Sequence, residues 1–245
     1  MQKKDFNPMK RFCLLSNQNA YAGREYAKAM AASNIPFDWV EFGNHPAVSE
    51  GEEKRCGGLW QPPLANNIPF TGQRLSFEKL SSPDFHEWAR GQQYDLAIQG
   101  GVGILKPEVM ALFKAGILNL HPGRVPHYRG CSAPEWQLAE QEPIMTTAHI
   151  IDAGIDTGPV FCEFELKVKT DTYEAFRGSI YPEVALGLSR ILHHLQSLSV
   201  DEFTQQLTEQ DTHVGQYRNY YGDDAIENLK MQFPHIAQYL KSSKN

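Results

Sequence analysis

The sequence has little of what marks a stapled, exported or membrane-bound chain. Its four cysteines, Cys13, Cys56, Cys131 and Cys162, lie far apart with no Cys-x-x-Cys pair. Such scattered cysteines read as packing thiols in a reducing compartment rather than as disulfides or zinc ligands. No apolar run approaches the ~18 residues of a transmembrane helix. The first residues, MQKKDFNPMKRF, are basic but carry no apolar segment, which does not fit a signal peptide. Cationic excess is missing as well. The 23 Lys and Arg against 29 Asp and Glu leave a net charge of −6, which argues against a whole-chain basic footprint for nucleic acid or anionic lipid. Internal repeats and low-complexity tracts are also missing. A cytoplasmic protein is expected, with neither nucleic acid nor membrane as partner.

What is present is an ordinary globular balance. Apolar residues make up 41% and charged residues 21% of 245 positions. Length alone allows one to two domains, and a chain this long buries roughly 70–75% of its unfolded surface without staples. The opening reads strand–helix–strand: Lys10–Ser16, then REYAKAMAAS, then Phe37–Phe42. That pattern predicts an α/β fold, a Rossmann-like, mostly parallel sheet with flanking helices. From Gly43 to Thr71 the chain shows no clear period and reads as a long loop, and loops of that length are often functional. A short helix at PDFHEWARGQQ, a strand at Tyr94–Gln99, a Gly-rich loop and a helix near Pro107 follow. Gly100–Gly103, GGVG, lacks the third glycine of a dinucleotide loop and reads as a tight turn. Ile117–His121 is the next strand, and the Pro/Gly loop after it leads to helix APEWQLAEQ. MTTAHII and VFCEFELKV are two further strands. The apolar stripe Tyr173, Phe176, Ile180, Val184, Leu188, Leu192, Leu195 predicts a long helix, with Asp171 and Glu174 as a capping box and a kink at Pro182. We divide the chain into a catalytic part, 1–195, and a mainly helical C-terminal extension, 196–245.

Asn119 and His121 lie two apart on one predicted strand, so their side chains share a face. They sit near the carboxyl end, the edge at which open parallel sheets bind ligands. His149 lies near the end of another strand, and Asp156 in the turn after it. An amide donor, an imidazole and a carboxylate suit acyl transfer, the first holding an oxyanion and the others moving protons. Singly, each has an ordinary structural reading: a strand-end hydrogen bonder, a half-buried histidine, a turn aspartate. His121, His127, Cys131, His149, Asp152 and Asp156 show no metal-ligand spacing. No metal is expected, and activity is expected to survive chelation.

The segment NLHPGRVPHYRG, Asn119–Gly130, followed by TAHIIDAGIDTGPVF, Thr147–Phe161, resembles the N10-formyltetrahydrofolate-dependent formyltransferase family. The family's pattern is Asn-x-His-Pro, then Leu-Pro-x-Tyr-x-Gly, then a His with Asp-x-Gly seven residues on. Here that step runs from His149 to Asp156. Two departures stand out: Gly123 where Ser or Ala is common, and Met145 where Gly is usual. They are expected to bear on loop shape. The resemblance implies that His121 carries the proton, that Asn119 donates to the formyl oxyanion, and that Asp156 accepts the amine proton and tunes the histidine. It places the pterin against Gly101, Val102, Ile104 and Leu105 on one side and Asp152, Ala153 and Gly154 on the other.

The stretch CSAPEWQL after YRG is more like the tRNA and sugar enzymes of the family than like glycinamide ribonucleotide transformylase. The tRNA enzyme carries a further C-terminal barrel, whereas residues 196–245 read as helical and acidic. The resemblance therefore points to a sugar N-formyltransferase acting on a nucleotide-linked amino-deoxysugar. Arg24, near a helix start, is a candidate for the diphosphate, and Tyr128 and Arg129 for the acceptor side. Trp60 and the tyrosines Tyr217, Tyr220 and Tyr221 suit base stacking, core packing or the contacts of a homodimer equally. Glycinamide ribonucleotide as acceptor and an inactive folate-binding module are the alternatives.

Overall fold

The computed structural model describes residues 8–44 and 46–242. The elements run β1 Phe12–Gln18, α1 Tyr21–Ala32, β2 Phe37–Asn44, α2 Pro46–Cys56, β3 Arg74–Phe77, α3 Pro83–Gln92, β4 Leu96–Gln99, α4 Pro107–Met110 and β5 Ile117–His121. They continue β6 Tyr128–Gly130, α5 Ala133–Ala139, β7 Met145–Ile150, β8 Val160–Glu165, α6 Tyr173–Leu195, α7 Val200–Gln205, β9 Gln216–Arg218 and α8 Asp223–Ser242. Seven strands form one sheet in the order β3-β2-β1-β4-β5-β7-β8, and β6 pairs separately with β9. The first four pairings are parallel, whereas β5–β7 and β7–β8 are antiparallel.

The period of two along each strand builds the layers. Phe12 and Leu14 of β1, Ile98 of β4 and Leu118 and Leu120 of β5 enter one core with Phe176, Ile180, Leu188 and Leu192 of α6 and Phe233 of α8. Their neighbours Cys13, Leu15, Ala97 and Ile117 face the opposite core with Phe85, Ala89, Val109 and Phe113. Ile117, Asn119 and His121 therefore share the second face. There α4 is one turn long, shorter than the helix expected after Pro107. Residues 196–245 add α7, β9 and α8, and Phe203, Ile226, Leu229 and Phe233 join the first core.

Several local expectations change. The loop expected over Gly43–Thr71 contains α2 and a short 3-10 turn at Ala65–Asn67. Helix α2 escapes a periodicity reading because its sequence, PAVSEGEEKRC, is almost wholly polar. The edge strand β3 is similarly hidden, being four residues long and half exposed. Thr172, not Asp171, caps α6: its hydroxyl accepts from the Ala175 N–H at 3.1 Å. Pro182 lies inside a helix that runs unbroken from Tyr173 to Leu195. Cys13 and Cys56 are buried thiols, but Cys131 is exposed.

Candidate active site

The site grows out of the β5–β7 register. Because β7 runs antiparallel, His149 stands opposite Asn119, and Thr147 opposite His121. The loop after β7 thus starts at the beginning of β5 and must return across the sheet face. It does so through a knot of local bonds. Asp152 Oδ1 accepts from the Gly154 N–H at 3.0 Å and the Thr157 hydroxyl at 2.7 Å. Asp156 adopts a left-handed φ of 53°, which a short polar side chain tolerates better than most. At Gly158 a Cβ would meet the Ile150 carbonyl oxygen at 1.9 Å, so only glycine lets the loop pass this close to β7.

That return path delivers the Asp156 carboxylate to Asn119, His121 and His149 together. Its Oδ2 accepts from the Gly130 N–H at 2.9 Å and lies 3.4 Å from His121 Nδ1. Its Oδ1 accepts from Asn119 Nδ2 at 3.4 Å and lies 3.5 Å from His149 Nε2. Burial pushes the Asp156 carboxyl up, but contact with His149, the His121 imidazole and the Gly130 N–H outweigh it and hold it at about 2.

Backbone partners assign the imidazole protons. His121 Nε2 faces the Tyr128 carbonyl at 2.6 Å, so Nε2 carries the hydrogen and, in the neutral ring, Nδ1 offers its lone pair beside Asp156. Burial lowers the His121 pKa, against the opposing pull of Asp156 and the Tyr128 carbonyl. The neutral, basic form therefore prevails near pH 7. With its hydrogen on Nδ1, His149 donates to the Ile150 carbonyl at 3.2 Å and accepts from Asn119 Nδ2 at 3.1 Å; its favourable contact with Asp156 Oδ1 is the one it makes with Nε2 protonated. Gly123 underlies this arrangement. A Cβ there would lie 2.8 Å from His121 Nε2, 2.9 Å from the Tyr128 carbonyl oxygen and 2.6 Å from the Ala133 Cβ. The departure at Gly123 thus borders His121 itself.

A cleft of about 160 Å³ opens beside Asn119, His149 and Asp156. Ile104, Leu105, Asp152, Ala153 and Gly154 line it, joined by Gln99, Gly103, Ile151 and Ile155. Gly101 and Val102 do not line it: the Gly101 N–H is turned to Gln99 Oε1 at 3.2 Å, and Val102 is buried in the core. The lining mixes apolar side chains, loop backbone and the polar side chains of Gln99, Asn119, His149, Asp152 and Asp156, which suits a flat heteroaromatic ring carrying several donors and acceptors.

The residues expected on the acceptor side lie outside this lining. Arg24 is buried, donating to the carbonyls of Pro62, Pro63 and Asn19 at 3.4–3.5 Å and lying over the Tyr21 ring. The Tyr128 hydroxyl donates to Glu140 at 2.7 Å, pointing away from the carbonyl that meets His121. Arg129 is half-buried on β6, opposite Tyr217 of β9. Trp60 packs in the core, edge-on to Tyr21 and stacked on Tyr181. Tyr221 packs edge-on against Trp136, whereas Tyr217 and Tyr220 are about half exposed.

Sequence reasoning missed the backbone groups that fix the side chains, namely the Tyr128 carbonyl and the Gly130 N–H. It also missed Gln210, whose amide donates to the carbonyls of Asp156 and Gly158. Only the Tyr-x-Gly spacing hints at the first two, and nothing local marks the third. Among the described residues, no group of three or more His, Cys, Asp and Glu is arranged to hold a metal ion. Nor is any described helix long and apolar enough to cross a membrane.

Comparison with known proteins bears on the family and the fold. The methionyl-tRNA formyltransferase of Deinococcus radiodurans is 30% identical over 146 residues, 58% of this chain and 46% of that one. The match to the enzyme of the same name from Thermodesulfovibrio yellowstonii, at 33% identity, covers 38% of this chain and 31% of that one. The chain thus matches less than half the length of these curated relatives. Among solved structures, the formyltransferase PseJ from Anoxybacillus kamchatkensis, in complex with UDP-4,6-dideoxy-4-formamido-L-AltNAc and tetrahydrofolate, has the same fold at a TM-score of 0.52. The identity is 15%, over 94% of this chain and 97% of that one. The family model for formyl transferases matches residues 2–181. With that match over most of its length, and a mostly parallel seven-stranded sheet to go with it, the chain belongs to the formyl transferase family.

Proposed function

We propose that this chain transfers a formyl group from N10-formyltetrahydrofolate to the amino group of a nucleotide-linked amino-deoxysugar. One observation carries the reading: the cleft is lined by an amide, an imidazole and a carboxylate, Asn119, His149 and Asp156, held within 3.5 Å of one another, with His121 Nδ1 3.4 Å from the same carboxylate. The amine attacks the formyl carbon, giving a tetrahedral carbon with O⁻ on one side and N–H⁺ on the other. Asn119 donates to that oxyanion. As it stands, Asn119 Nδ2 directs one hydrogen to His149 and the other, more loosely, to Asp156. The oxyanion replaces the looser partner. Asp156, which lines the cleft, takes the amine proton and passes it to His121 Nδ1, 3.4 Å from its Oδ2, so that the carboxylate ends paired with an imidazolium. The C–N10 bond then breaks, and the proton passes to N10 of the departing tetrahydrofolate.

Two features support a small nucleotide-linked acceptor. The net charge of −6 disfavours a polyanion such as tRNA. The fold likeness to PseJ extends over 94% of this chain, residues beyond α6 included. A second reading, glycinamide ribonucleotide as acceptor, draws on the likeness to the transformylase of Symbiobacterium toebii, with a TM-score of 0.52 over 77% of this chain. The test is incubation with the formyl donor and a panel of aminosugar nucleotides, glycinamide ribonucleotide and charged tRNA. Tetrahydrofolate release with a one-formyl mass gain on a sugar nucleotide, weakly dependent on salt, is expected. Gain on the ribonucleotide or the tRNA alone would move the assignment to that acceptor.

A further inference from the structure

We infer that Gln210, in the segment after α7, is a positioning residue for the Asp156 carboxylate. Its side-chain amide donates to two carbonyls of the catalytic turn, Asp156 at 3.1 Å and Gly158 at 2.6 Å. Gln210 is itself anchored. Two residues earlier, Thr208 and Val160 exchange both backbone hydrogen bonds at 2.8 Å, which lays the segment along the start of β8. The turn needs such a hold. Asp156 is a non-glycine residue at a φ of 53°, a conformation that persists only where surrounding contacts over-determine it. If its carbonyl were released, the backbone at Asp156 could leave the left-handed conformation, shifting the Cα–Cβ bond that aims the carboxylate at Gly130, His121 and His149. The cost of supplying the hold is visible at the other end of the amide. Gln210 Oε1 is buried without a hydrogen-bond partner among the described residues, which polar groups in folded proteins rarely tolerate without a compensating gain. Both donor hydrogens are spent on the turn, so the side chain serves the turn at its own expense.

The inference rests on the formyl-transfer reading for its kinetic consequence, but not for its geometric one. The test pairs Gln210→Met, which keeps length and removes the donors, with Gln210→Lys, which returns a donor at similar reach. The Met variant is expected to stay folded and to keep its KM for the formyl donor within about twofold. Its kcat should fall at least ~10-fold, because displacements on the order of 1 Å at a reacting group cost up to ~100-fold. The Lys variant should recover most of that loss. Independently of any acceptor, the imidazole of His121 in histidine-labelled protein reports on Asp156 by NMR. Its titration midpoint should fall in Gln210→Met, where the carboxylate that raises it has moved. An unchanged His121 midpoint in that variant would overturn the inference, as would a kcat loss that Lys does not restore. If the wild-type chain transfers no formyl group to any acceptor, the reading of its function fails, and the His121 titration still decides the role of Gln210.

Discussion

At the scale of single residues, Asp156 and His121 couple the chemistry to the stability of the fold. The Asp156 carboxyl is held at about 2 against an ordinary value of 3.8. A depressed carboxylate contributes stability that is present above the unfolded value and lost as pH falls through the folded one. The contribution is ~2 kcal/mol, lost between about pH 4 and pH 2. His121 acts in the same direction. Its pKa is lowered from 6.5 by burial, so the unfolded chain takes up that proton first and stability falls as pH drops below 6.5. Chemical unfolding across pH 7 to 2 should therefore show a two-stage loss, and Asp156→Asn should shrink the stage below pH 4, leaving the part due to other lowered carboxylates such as Asp95. A wild-type curve as flat there as the variant's would contradict the burial-and-contact account of the carboxylate.

Gly123 gives a second prediction at this scale. The atoms a Cβ would strike are a ring nitrogen, a carbonyl oxygen and another Cβ, none at the end of a flexible side chain. Gly123→Ala should cost ~1–3 kcal/mol and lengthen the His121–Tyr128 contact, lowering kcat more than it raises KM. Thermal denaturation and steady-state kinetics on one preparation check both. The motif residues at this site were legible in the sequence because Asn119, His121, His149 and Asp156 keep fixed spacings on predicted strands and turns. What held them was not legible, since a carbonyl, an N–H and a glutamine 54 positions from Asp156 carry no local signal.

At the scale of elements, the sequence is readable where burial imposes a period and unreadable where it does not. Strand β5 was read to the residue, Ile117 to His121, because apolar and polar side chains alternate across two faces. The polar sequence of helix α2 reads as loop because, apart from the buried Cys56, the helix is held largely by ion pairs. Glu52 Oε1 meets Arg177 Nη2 of α6 at 2.7 Å, and Arg177 Nε lies 3.1 Å from Glu135 of α5, which is fully buried. The Tyr173 hydroxyl donates to the same Glu135 oxygen at 3.0 Å. Removing the cation leaves the buried Glu135 with the Tyr173 hydroxyl and the longer contact to Arg55 Nη1 at 3.8 Å, so Arg177→Met should cost ~3 kcal/mol in urea unfolding. Glu52→Gln should cost much less, since Glu135 keeps Arg177. Equal losses in the two variants would mean that the helices are joined by packing alone. At the helix start, Thr172→Ala should cost ~1 kcal/mol without altering turnover.

At the scale of the whole molecule, the sheet divides the work between its halves. The parallel half, β3 to β5, carries one wall of the cleft on the loop after β4. The antiparallel half, β7 and β8, carries the other wall on the loop that folds back over β5. The parallel half was foreseeable from the strand–helix alternation. The antiparallel turn was not, because strand direction depends on which edge the chain leaves from, and that is set by packing far along the sequence. The C-terminal elements reach the same site from outside: β9 pairs with β6, whose Gly130 N–H holds Asp156. The central claim is that formyl transfer occurs at the meeting point of these parts. The most direct measurement is the turnover of N10-formyltetrahydrofolate with an aminosugar nucleotide, wild type beside His121→Ala, with binding of the folate measured on both. The account predicts a one-formyl mass gain on the sugar nucleotide for the wild type and a rate at least ~10²-fold lower for the variant, with folate binding unchanged. Turnover by His121→Ala at the wild-type rate would contradict it.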